Sequence, residues 1–111
     1  MSQEKDAVML RIFMKEADEW QGKPLYTAIL EEAHKEGLAG GTAVHAISGF
    51  GSSNEPRQML ELASDPSVVV EIVDWEDRAE AFAEKISGMI ERGLVTTEKV
   101  RVLWYRSKRD D

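Results

Sequence analysis

Apolar residues fall at nearly every other position in "AVMLRIFM", residues 7 to 14. That alternation predicts a strand. The polar run "EADEWQGK" that follows is turn-like. From Pro24 the period changes: Leu25, Ala28, Ile29 and Ala33 recur at helical spacing, and Gly37 ends the pattern. Proline suits a helix start because its missing N–H costs nothing there, and glycine suits the stop. Residues 42 to 50, in "GGTAVHAISGFG", read as a second strand. The stretch from 51 to 67 is the longest irregular connection, although "RQMLELA" within it could form a short helix. "VVVEIV", residues 68 to 73, is β-branched and nearly continuous, as a central strand should be. In "DWEDRAEAFAEKISGMIERG" the positions Ala79, Phe82, Ile86 and Ile90 share one helical face, and Gly93 closes the element. "KVRVLWY", residues 99 to 105, reads as the last strand, which places Trp104 and Tyr105 in the core or an interface.

The order βαββαβ predicts an α+β, ferredoxin-like fold: a four-stranded antiparallel sheet with both helices on one face. Two helices cover one side of such a sheet. The other side is then expected to expose apolar residues such as Ile12, Val44 or Ile72, depending on register, and an exposed apolar face marks an interface. An oligomer is expected.

Composition narrows the chemistry. The chain of 111 residues has no cysteine, which removes disulfides, thiolate metal sites and thiol nucleophiles. A net charge of −7 argues against nucleic acid as a partner. No apolar run approaches the roughly 20 residues of a membrane span, and the charged start "MSQEKDAVML" lacks the apolar core of a signal peptide; a cytoplasmic location is expected. The only serines that follow a glycine-rich turn stand in "GFGSS", which is not a nucleophile elbow. No phosphate-loop or dinucleotide motif is present, and two histidines without cysteine make a poor metal set within one subunit. The sequence reads as a binding protein and not an enzyme, with no covalent cofactor and no metal.

The residues that could carry binding are few. Gly49, Phe50 and Gly51 end the second strand in a tight turn, either a simple bulge or a nest of backbone N–H groups for an anion. Glu71 lies inside a β-branched strand, where a carboxylate needs a partner. Lys99 on the last strand is expected to pair with it, for structure or to hold a ligand. Arg57 in the 51 to 67 connection and Lys23 beside Pro24 are candidate phosphate contacts, each equally readable as a solvated charge. His34 reads as a surface residue near a helix C-terminus, and Trp75 as a cap of the second helix or an interface residue.

"GKPLY", "EGLAGGTAVHAISGFG", "VVVEIVD" and "GLVTTEKVRV" together resemble the domain-of-unknown-function 190 family, which is similar to the PII-like nitrogen-regulatory signalling proteins. The resemblance spans about residues 8 to 105. It implies a PII-like domain over 8 to 105, with a flexible N-terminus at 1 to 7 and a charged tail at 106 to 111. It also implies a homotrimer that binds an adenine nucleotide (AMP, ADP or ATP) in clefts between subunits, and a 51 to 67 loop that changes shape with the ligand and is read by an unknown protein partner. Carried over by position, the nucleotide-binding residues would be Gly49, Phe50, Gly51, Glu71, Val73, Thr96, Thr97 and Lys99. Val73 would border the adenine, and Lys99 would reach the phosphates from the loop after the second helix. Thr96, Thr97 and Glu98 stand where PII proteins have a Gly-Asp-Gly run. A second reading stays open: a structural homotrimeric adaptor or stress-related module without nucleotide dependence.

Overall fold

A computed structural model describes residues 6–45 and 67–108. Strand β1 runs Ala7–Lys15. It starts within the span expected to be a flexible terminus, and Ala7 is already buried. The polar turn is a miniature hairpin, β2 (Glu19–Trp20) against β3 (Lys23–Pro24). Gln21 and Gly22 between them both take positive φ, as a two-residue hairpin turn with the twist of its strands requires. Helix α1 spans Leu25–Lys35, with Pro24 at its N-cap, and buries the four positions that the spacing singled out, Leu25, Ala28, Ile29 and Ala33. Strand β4 covers Thr42–His45 and β5 covers Ser67–Trp75. Helix α2 is Glu76–Ile86, followed by a single 3-10 turn, Ser87–Met89, and strand β6, Leu94–Val100.

The main sheet has the order β4-β5-β1-β6, antiparallel throughout. With two helices packed on it, this is the ferredoxin-like α+β fold that the element order predicted. Leu10, Ile12, Val70 and Ile72 on one sheet face meet Ile29, Phe82 and Ile86 from the helices, all of them almost wholly buried. Ile12 and Ile72 are therefore core residues; the expectation that they lie on the open face is corrected by the register. The open face takes the opposite parity of the same strands: Met9, Arg11 and Phe13 of β1 beside Val73, Glu71 and Val69 of β5. Val44 of β4 and Leu94 of β6 extend it and are well exposed.

Two predicted elements shift. The second helix ends at Ile86 and not at Gly93. Ser87 and Gly88 are poor helix residues, and the Ser87 hydroxyl donates back to the Glu84 carbonyl at 2.8 Å. Ile90 is thereby off the helix, although it still packs against the core. The last strand is Leu94–Val100 and not 99 to 105. Gly93 fixes its start: a Cβ there would sit 2.6 Å from the Phe13 carbonyl oxygen, so only glycine lets the chain pass β1 this closely. β1 fixes its end. Phe13 pairs with Leu94, and Ala7, the first residue of β1, pairs with Val100, so β1 offers no partner beyond Val100. Residues 101 to 107 continue as an arm outside any strand or helix, and Trp104 and Tyr105 are exposed there, 68% and 56%.

Candidate functional site

Gly49, Phe50, Gly51 and Arg57 lie outside the described residues. The other candidates divide over the sheet. Glu71 and Val73 stand on the open face of β5, and Thr96 on the open face of β6, with Arg11 of β1 registered against both Glu71 and Thr96. Thr97 and Lys99 alternate to the helix side, registered against Leu10 and Val8. The segment 96 to 99 is thus a strand edge, not a loop after the helix. The expected Glu71–Lys99 pair does not form. Lys99 Nζ lies 3.5 Å from Asp6 Oδ2, and Glu71 belongs to Arg11. Trp75 does occupy the N-cap position of α2, without a side-chain capping bond. Lys23 is engaged with Glu31 at 2.7 Å.

Arg11 is the functional-looking residue that the pattern reading passed over. Its Nε donates to Glu71 at 3.0 Å and its Nη1 to Glu98 at 2.6 Å, so one guanidinium bridges the strands on both sides of it. Those hydrogen bonds, to Glu98 first and Glu71 second, hold its pKa above the ordinary arginine value. The signal was present in "LRIFM": a lone arginine at the parity opposite to Leu10 and Ile12 needs carboxylates on the neighbouring strands.

At the β5 end of the open face the surface folds into a cleft of about 680 Å³. Glu71 and Val73 line it, together with the glycine-bearing turn from Gly37 to Gly41, Trp75, Arg78, and Trp104 and Tyr105 of the arm. A volume of this size is in the usual range for small-molecule sites. The turn is held by Asp74, whose side chain is almost fully buried. Asp74 Oδ2 accepts from the Ala39 N–H at 2.9 Å, and Oδ1 accepts from the Trp75 N–H at 2.7 Å. Arg78 Nε approaches Asp74 at 3.5 Å, while its Nη2 donates to the Gly37 carbonyl at 2.6 Å. Gly41 sits close behind: a Cβ there would meet Leu30 at 3.0 Å and Ile72 at 3.3 Å. Asp74 and Arg78 therefore tie the helix α1 exit to the β5–α2 corner and shape one wall of the cleft.

Among the described residues the cleft is lined by one arginine, Arg78, which already engages Asp74 and the Gly37 carbonyl, by two carboxylates, Glu71 and Asp74, by an imidazole, His34, and by three aromatic side chains, Trp75, Trp104 and Tyr105. Such a set suits a ligand with an anionic group and a flat ring. Lys99 does not line it. Among the described residues no cluster of histidine, aspartate and glutamate has the geometry of a metal site. His45 instead approaches Glu16 at 3.2 Å, and its ring and that of Tyr26 meet in a T-shaped pair.

The model of the DUF190 family, described as "Uncharacterized ACR", matches residues 7–102. The chain belongs to this family. It is 42% identical over 98 residues to a UPF0166 protein of Aquifex aeolicus (strain VF5), covering 86% of this chain and 92% of that one. A UPF0166 protein of Methanocaldococcus jannaschii is 28% identical over 91 residues, 80% of this chain and 84% of the relative. The family match begins at the first residue of β1 and ends just past β6, so it takes in every strand and helix described here. Among the described residues no helix is long and apolar enough to cross a membrane.

Proposed function

We infer that the chain is a PII-like regulatory protein that binds and does not catalyse. It forms a homotrimer and takes an adenine nucleotide in the cleft at the β5 end of the open sheet face. Occupancy biases the 51 to 67 loop, and a protein partner reads that loop. The observation that carries this reading is the cleft itself. Glu71 and Val73, two of the eight positions that the PII resemblance assigns to the ligand, line one cavity of ligand size with Arg78, the one arginine or lysine of its lining among the described residues, whereas Thr96, Thr97 and Lys99 stay outside it. The cleft also opens beside an apolar face that a second copy would cover, which is where an inter-subunit site belongs.

Calorimetric titration of AMP, ADP and ATP into the purified protein tests the reading. Micromolar binding at about one nucleotide per subunit is expected. Arg78→Ala should weaken it by roughly tenfold or more, the usual worth of a charge-assisted hydrogen bond to phosphate. Lys99→Ala reads whether a neighbour's β6 edge reaches the same ligand. Absence of heat with all three nucleotides, from an intact oligomer, selects the structural homotrimer instead. The open face favours that second reading to this extent: Met9, Phe13, Val69 and Val73 call for a covering copy whether or not a ligand binds.

A further inference from the structure

We propose that the arm after β6 supplies the stacking surface of the cleft, with Trp104 as the residue on which the ligand's heterocycle lies. This rests on the nucleotide reading above and names a contact that it leaves open. The arm has left the sheet, so its side chains have no ladder to serve. It nonetheless borders the cleft: Trp104 and Tyr105 form part of its lining, as does Trp75 at the N-cap of α2. The Arg106 guanidinium lies 4.2 Å from the centre of the Trp104 ring. A cation over one face of an indole is a favourable contact that fixes the ring's orientation. Trp104 as a residue remains 68% exposed, which leaves indole surface accessible beyond the contact with Arg106. A flat, oriented aromatic face at the rim of a cavity that also holds a cation is what a purine nucleotide requires: stacking for the base and charge for the phosphate. The arm's assignment also gives a use to an exposed tryptophan that the fold itself does not need.

The test compares AMP, adenosine and ribose 5-phosphate on the wild-type protein and on Trp104→Ala and Trp104→Phe, with calorimetry and tryptophan fluorescence as readouts. Trp104 is exposed, so both variants should melt as the wild type does. The expected result is quenching of wild-type fluorescence by AMP and a loss of AMP affinity of about tenfold in Trp104→Ala, a typical cost of removing one stacked aromatic. Trp104→Phe should retain most of the affinity and lose most of the quenching. AMP affinity unchanged in Trp104→Ala would overturn the stacking role while the nucleotide reading stands; a changed oligomeric state in that same variant would reassign the ring to subunit contact. Ribose 5-phosphate bound as tightly as AMP would overturn the stacking role and leave an anion cleft. Binding of neither AMP nor adenosine would overturn both readings.

Discussion

Asp74 shows how much one buried carboxylate organises. It is the only buried charged side chain among the described residues, and it lies at the corner where β5 becomes α2. Burying a carboxylate is costly unless its oxygens are satisfied. Here the Ala39 and Trp75 N–H groups and the Arg78 guanidinium do this. Asp74→Ala would strand those donors and should cost about 1–3 kcal/mol, with Asp74→Asn losing less because it keeps the shape and one acceptor. Denaturant melts of the two variants check this. Since the same bonds hold the wall of the cleft, the variants should also bind nucleotide more weakly than their stability loss alone accounts for. Arg11 carries the matching lesson on the open face. Its two carboxylate partners come from β5 and β6, 60 and 87 residues away. The sequence displays the lone arginine, whereas only the strand order tells which acids flank it.

At the scale of elements, the helices were legible and their ends less so. Period and glycine located α1 almost to the residue. α2 stopped early because Ser87 and Gly88 override an apolar period that continues to Ile90. The two helices are joined on their solvent side by Lys85, which donates to Glu36 and lies 3.2 Å from Glu32. The Lys85 hydrogen bond holds Glu36 below the ordinary carboxylate value, and the bonds to Glu36 and then Glu32 hold Lys85 above the ordinary lysine value. The signs follow from linkage. The Glu36 contribution is present above its unfolded pKa and is lost as pH falls through the lowered folded value. The Lys85 contribution is present below its unfolded pKa and is lost as pH rises through the raised one. The tie thus holds across neutral pH. Lys85→Met, which keeps the aliphatic stem, should melt slightly below the wild type near neutrality. The gap should close in acid and again in strong alkali, and thermal melts across pH measure it. The effect is small, because these groups are solvent-exposed and screened.

For the whole molecule, the unbalanced layer arrangement decides the behaviour. Helices cover one sheet face, and the other carries Met9, Phe13, Val69 and Val73 around the Arg11 bridge. Placing a charge in that stripe with Phe13→Glu should leave the helix-side core intact. The variant should therefore stay folded by circular dichroism and sediment as a smaller species than the wild type, for which a trimer is expected. A Phe13→Glu protein that sediments as the wild type does would remove this face from the assembly.

The alternation in β1, the β-branched run of β5, the helical period of α1 and the order of elements were enough to determine the fold class, because each reflects a local rule: two residues per strand repeat, β-branched residues on a pleated surface, 3.6 residues per helix turn, glycine where the chain must turn. The same rules placed Glu71 and Val73 together on one strand, and they meet in one cleft. Tertiary structure decided the rest. Which parity of β1 faces the helices depends on where the helices pack, so Ile12 and Ile72 went inward. Where the last strand stops depends on the length of its neighbour, and β1 ends at Ala7, opposite Val100. That single limit freed Val102 to Tyr105 from the sheet, although their apolar pattern reads as strand. Pairing is likewise a property of strand order: β1 lies between β5 and β6, so Glu71 meets Arg11, and Lys99 on the far side of the sheet finds Asp6.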